Sequence, residues 1–116
     1  MSRSVGTWGE AQVANYLRKN RYRLVAHSYH CRFGEIDLIA MDGKTLCFVE
    51  VKTRSNLSMG LPREYVNAAK QERIRKTALF YLSEKELDCP MRFDVAEVYQ
   101  SGSGALERIE SIKNAF

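Results

Sequence analysis

Little in this 116-residue sequence points outward to a membrane or to the secretory route. No run approaches the ~20 apolar residues that a spanning helix needs, and the first ten residues lack the apolar stretch of a secretory signal. Three cysteines, Cys31, Cys47 and Cys89, are an odd and widely spaced set, which argues against a disulfide framework. Prolines are limited to Pro62 and Pro90, both between patterned stretches, and there are no internal repeats or low-complexity segments. These scarcities lead us to expect a soluble cytoplasmic protein of a reducing compartment, with no membrane partner. The length suits one domain over residues 1–116, large enough to bury a core without staples.

What is present is charge in unusual places. The net charge is +4. Between Lys52 and Lys76 seven basic residues (Lys52, Arg54, Arg63, Lys70, Arg73, Arg75, Lys76) face only Glu64 and Glu72. A local field of that sign suits a polyanion such as nucleic acid, although a solvated helix face would read the same way.

The hydrophobic pattern predicts a helix over 8–19, where Trp8, Ala11, Val13, Ala14, Tyr16 and Leu17 recur at helical spacing and Asn20 ends the run. A short strand is expected at 22–26, and stronger ones at 35–41 and 45–53, joined by an Asp42-Gly43 hairpin turn. Residues 56–61 read as a loop. A long helix follows over about 63–83, with Pro62 near its first turn. Strands are expected at 91–99 and 105–112, separated by the Ser101–Gly104 turn. The resulting order, α-β-β-β-α-β-β, is an α/β architecture with a mixed five-stranded sheet and a helix on each side.

Charges interrupt the apolar strands. Glu50 and Lys52 lie two apart and share a strand face, and Asp37 breaks Ile-Asp-Leu-Ile. An Asp42-Gly43 turn opposes Asp37 to Phe48 and Glu35 to Glu50. Asp37 and Glu50 are then diagonal neighbours on one face, about 7–8 Å apart at the backbone. Carboxylates at 35, 37 and 50 on one face repel unless a cation sits among them, and Lys52 alone cannot neutralise three. Hard oxygen donors without histidine or thiol suit Mg²⁺ or Mn²⁺. The competing account is a solvent-facing strand with an ordinary salt bridge.

Glu10 adds to the set, being flanked by Val13, Ala14 and Leu17 on the helix face expected to pack on the sheet. It could reach the metal cluster, or it could simply serve the first helical turn. Lys70, between Val66 and Ile74, and Gln71 could reach a phosphate or the acids; a snorkelling lysine is the plainer account. His27, His30 and Cys31 match no closed zinc spacing unless Cys89 joins, and Cys47, alternating with Val49 and Val51, reads as core.

Gly34-Glu-Ile-Asp-Leu-Ile39, the intervening hairpin and Phe48-Val-Glu-Val-Lys-Thr-Arg54 resemble the YraN family of small bacterial proteins. That family is identified as a predicted member of the PD-(D/E)xK nuclease superfamily, distantly similar to Holliday junction resolvases. The likeness extends to Gly9-Glu10-Ala11, Lys70-Gln71 and Arg92-Phe93-Asp94-Val95. It implies a restriction-endonuclease-like core and an endonuclease acting on DNA, with branched or junction DNA as the fitting substrate. In that frame Asp37 matches the metal-binding aspartate, Glu50 the second acid, Lys52 the lysine and Glu10 the helix-one acid. Ile36 stands where the motif has proline, a common departure. Asp37, Glu50 and the Val51 carbonyl would hold Mg²⁺ or Mn²⁺, and Glu10 a second ion or its water. Arg54, Lys70, Gln71, Arg73 and Arg75 would grip the nucleic-acid backbone. A homodimer is left open, since resolvase-like relatives often make paired cuts. Two other readings stand beside this one: a non-catalytic nucleic-acid-binding module that keeps the fold, and a metal-free protein-interaction domain with a basic helix.

Overall fold

The computed structural model describes residues 7–55 and 66–116. Its elements run α1 (Trp8–Lys19), β1 (Arg23–Cys31), β2 (Gly34–Asp42), β3 (Thr45–Ser55), α2 (Ala68–Glu84), β4 (Met91–Gln100) and β5 (Leu106–Ile112). This is the expected α-β-β-β-α-β-β order. The strands form one sheet in the order β1-β2-β3-β4-β5. All neighbours are antiparallel except β3 and β4, which are parallel. A parallel pair needs a crossover, and α2 lies within it.

The two helices cover opposite faces of the sheet. On one face Val13, Ala14 and Leu17 of α1 pack on Leu38, Ala40, Cys47, Val49, Ala96 and Val98. On the other, Ile74, Ala78 and Tyr81 of α2 pack on Ile36, Ile39, Leu46, Phe48, Phe93 and Val95. Cys47 is fully buried, as its place in the strand pattern suggested. Each large core side chain contributes about 1.5–3 kcal/mol by leaving water. Among the described residues no helix is long and apolar enough to cross a membrane.

Three element boundaries differ from expectation. The first strand runs to Cys31 rather than ending at 26, because it pairs with β2 along most of its length. The second helix starts at Ala68, with Asn67 as its cap: the Asn67 side chain accepts the Lys70 amide at 2.9 Å. The expected loop at 56–61 and helix positions 63–65 lie outside the described residues. The hairpin turn falls on Gly43 and Lys44 rather than Asp42 and Gly43, since Asp42 still pairs with Thr45. Gly43 takes φ 63°, which glycine adopts without the steric cost of a Cβ. Moving the turn one residue moves the register by two. Ile39, not Asp37, therefore opposes Phe48. A two-residue slip preserves which face each side chain points to.

β4 is fastened to the far end of the hairpin by a polar knot. The Arg92 guanidinium donates to Asp94 through Nε at 2.9 Å and Nη2 at 2.9 Å, to Asp42 through Nη1 at 3.1 Å and to the Tyr22 hydroxyl through Nη2 at 3.0 Å. Asp94, itself buried, also accepts the Asn114 amide at 3.0 Å. Arg92 thus ties the α1–β1 junction, the hairpin and β4, and Asp94 adds the C-terminal segment. Replacing one partner of such a pair leaves the other uncompensated. Arg92→Leu is expected to cost about 3–5 kcal/mol in urea denaturation; a loss under about 1 kcal/mol would show that the knot is solvated rather than structural.

Candidate functional site

The regular alternation of β2 fails at one residue. Leu38 and Ala40 face α1, and Ile39 faces α2. Ile36, two before Leu38, should share its face, but it packs in the α2-side cluster. The strand turns over at Asp37. Its neighbour strand does the same: the β1–β2 register runs His27–Leu38 and then Tyr29–Ile36, and between them Ser28 takes φ 49°. The β2–β3 register likewise stops at Leu38–Val49. Just beyond it, the Val51 amide donates to Asp37 Oδ2 at 2.8 Å. A side-chain carboxylate is thus held where two strands part company.

Glu50 and Lys52 of β3 alternate with Val49 and Val51, which pack toward α1, so they lie on the α2 face. Glu50 is buried, and the Lys70 ammonium of α2 meets its Oε2 at 2.7 Å. Glu10 comes from α1, on the opposite layer. Thr7 caps that helix by accepting the Glu10 amide at 3.1 Å. The Glu10 Oε1 atom is nonetheless buried with no hydrogen-bond partner among the described residues, so that oxygen does not close a reciprocal capping box. Gly9, beside it, lets α1 sit against β3, since a Cβ there would collide with the Thr53 hydroxyl. The charges that act on Asp37 therefore come from both layers, Glu50 on the α2 face and Glu10 from α1.

Electrostatics bind these residues into one group. Burial, aided by the Glu50 and Glu10 charges, pushes the Asp37 carboxyl from 3.8 up to about 7, against the pull of the Val51 amide and Lys70. Lys70 is raised, chiefly by its bond to Glu50. Of the three acids Lys70 bonds Glu50, and its charge acts on Asp37 through space.

The expected residues divide by placement. Asp37 lies near enough to Glu50 and Glu10 for both charges to raise its carboxyl, and Lys52 is next along the β3 face. Val51 holds Asp37 through its amide and pairs with Ala96 of β4. Glu35 does not join them: it is exposed and pairs with His30, because the turn-over at Asp37 breaks the face on which it was placed. The basic residues are more engaged than their composition suggests. Lys70 is held by Glu50. Arg54 meets Glu97 Oε2 at 3.1 Å. Gln71 Nε2 donates to the Val66 carbonyl at 2.8 Å. The Arg75 guanidinium lies over the Phe93 and Phe116 rings, 5.8 and 5.4 Å from their centroids. Arg73 and Lys76 are exposed.

Glu97 was missed by sequence reasoning. It lies in register with Lys52 and is 1% exposed, accepting from Arg54 and from the Tyr99 hydroxyl at 3.1 Å. Its signal was available: a carboxylate in the apolar run Val95-Ala-Glu-Val98, one strand over from Lys52.

The donors here are carboxylate oxygens, the type that suits a hard divalent cation, one of them buried and, among the described residues, unpartnered. Among the described residues no three His, Cys, Asp or Glu side chains are drawn together as a closed ligand set. Glu50 is turned to Lys70, and Asp37 to the Val51 amide.

Fold and site together describe a small α/β protein whose sheet changes its facing at Asp37, with Glu50 beside it bonded to Lys70 of α2. The chain belongs to a family described as Uncharacterised protein family UPF0102, whose model matches residues 9–98. Relatives named UPF0102 protein include one from Syntrophus aciditrophicus, 50% identical over 112 residues, 96% of this chain and 87% of the relative. One from Geotalea uraniireducens is 46% identical over 116 residues, covering 99% of this chain and 91% of the relative. Another, from Alkaliphilus metalliredigens, is 45% identical over 117 residues and covers both chains fully. The matched span takes in Glu10, Asp37, Glu50, Lys52 and Lys70.

A raised Asp37 pKa means that the folded state binds a proton which the unfolded chain has released. Asp37 therefore contributes stability that is full below about pH 4 and lost as pH rises through about 7. With divalent ions chelated, Asp37→Asn keeps an oxygen for the Val51 amide and removes the charge. It is expected to melt above the wild type at about pH 8, the gap closing by about pH 4. A gap that does not change with pH in thermal melts would show that Asp37 titrates normally.

Proposed function

We propose that this protein is a divalent-metal-dependent endonuclease that hydrolyses phosphodiester bonds in DNA, with branched or junction DNA as its substrate. The observation that carries this reading is the half-buried Asp37 carboxylate, held at the parting of β2 and β3 and raised by its burial and by the Glu50 and Glu10 charges. A fold gains nothing from such a group on stability grounds, and perturbed carboxylates of this kind mark functional sites. The resemblance to predicted PD-(D/E)xK nucleases names the same positions.

Asp37, Glu50 and Glu10, with the Val51 carbonyl, would hold Mg²⁺ or Mn²⁺. When bound, that ion supplies Lewis-acid charge at the phosphate and acidifies a coordinated water. The chain's own groups do the rest. Lys52 is not drawn into the Lys70–Glu50 or Arg54–Glu97 pairs, so its ammonium can face a phosphate oxygen or orient the attacking water. Arg73 and Lys76 present positive charge on the exposed side of α2 and position the sugar–phosphate backbone without reading sequence. The Arg54–Glu97 pair and the Tyr99 hydroxyl stiffen the β3–β4 face next to Lys52.

Purified protein incubated with linear, flapped and four-way DNA is expected to cut in Mg²⁺ or Mn²⁺ and not in EDTA. Asp37→Ala and Lys52→Ala are each expected to lower the rate at least ~100-fold. Junction binding without cleavage by the wild type in Mn²⁺ would replace hydrolysis with a purely binding role. For the backbone grip, Arg73→Ala and Lys76→Ala are each expected to reduce the slope of log affinity against log salt by about 1. Arg75→Ala, whose guanidinium is stacked on two rings, should instead show mainly as lost thermal stability.

A further inference from the structure

Lys70 sits against the electrostatics of its own helix. It lies in the first turn of α2, where the backbone carries partial positive charge and no acidic residue is present to offset a cation. The Asn67 cap accounts for the position of the Lys70 backbone. It does not account for the ammonium, which reaches across to the sheet and meets Glu50 Oε2 at 2.7 Å, where the Glu50 side chain is 8% exposed and the Lys70 side chain 38%. The contact that offsets the helix is therefore Glu50. Among the described residues it is a single ion-pair contact from a flexible four-carbon stem, with Asp37 close enough to feel its charge. A divalent ion of the class proposed above carries twice the charge and engages several oxygens at once, so it competes for Glu50 with advantage.

We propose that Lys70 is the resident counter-ion of Glu50, that a divalent cation displaces it, and that the released ammonium then serves the phosphate backbone at the mouth of the same site. This rests on the metal-site reading above. It assigns Lys70 two successive tasks. In the metal-free protein it keeps the acids from repelling one another apart. In the loaded protein it is a nucleic-acid contact. The two ligands are thereby coupled: cation binding frees the ammonium for phosphate, and phosphate holding the ammonium away favours the cation, by the same factor in each direction.

The test is Mn²⁺ titration of the DNA-free protein by calorimetry, comparing the wild type with Lys70→Met and, as a second variant, Lys70→Gln. Removing the competing cation is expected to tighten Mn²⁺ binding roughly tenfold, within the usual range of site-to-site coupling. An unchanged or weaker Kd in the variants, with the wild type still binding, overturns the role of Lys70 and leaves the metal site standing. No Mn²⁺ binding by any of the three chains overturns both. A measurement on the wild type needs no variant: the nitrogen-15 resonance of the Lys70 ammonium is expected to move when Mg²⁺ is added. A resonance that stays in place once Mg²⁺ has bound rules out displacement.

Discussion

Asp37, half-buried at a break in the sheet, feels the charges of Glu50 and Glu10, while the Lys70 ammonium is bonded to Glu50. Most of what is unusual in this protein follows from that crowding of acids. An isolated buried carboxylate either finds a partner or takes up a proton, and Asp37 sits between those outcomes, with one hydrogen bond from Val51 and a carboxyl pushed up to about 7. Glu50 has solved the same problem with Lys70, and Glu10 has one oxygen without a partner among the described residues. The proposed cation would complete what these groups leave open.

The fold makes this arrangement mechanically tolerable. Two independent apolar layers, one under each helix, carry the stability, so the sheet can open at one end without losing its core. At the other end the Arg92 guanidinium locks Asp94, Asp42 and Tyr22 into a fully bonded knot. The two ends of the same strands thus treat buried acids in opposite ways. Where the acids are satisfied, they fasten chain segments together. Where they are not, they form the candidate site. The parallel β3–β4 pairing contributes too, because its crossover carries α2, and with it Lys70, onto the face of Glu50 and Lys52.

Membership of the UPF0102 family places the chain among close bacterial relatives without adding a function to it. The nuclease proposal draws its support from the physical character of the site and from the resemblance of its motifs. The Lys70 proposal adds a reason for a lysine to be where helix electrostatics disfavour it. Local conflicts of that kind are where sequences trade stability for function.

Most of the element plan was legible in the residues, because hydrophobic periodicity reports which face each segment buries. Trp8 to Leu17 and the strand runs of β2, β3 and β4 were readable for that reason. So was the shared face of Glu50 and Lys52, which depends only on alternation along one strand. The association of Asp37 with Glu50 survived a wrong turn assignment because a register error of two leaves facing unchanged. Composition could not show which basic residues were already engaged, since Arg75 over Phe93 and Phe116, or Gln71 on Val66, are contacts between elements. Nor could a strand pattern show β2 turning over at Asp37, which takes the matching irregularity at Ser28 in its neighbour. Local order and the identity of the acids were properties of the chain alone. Their approach from opposite layers, and the Lys70 ammonium on Glu50, were decided by tertiary packing, because only packing brings charges from α1, β3 and α2 close enough to act on Asp37 of β2.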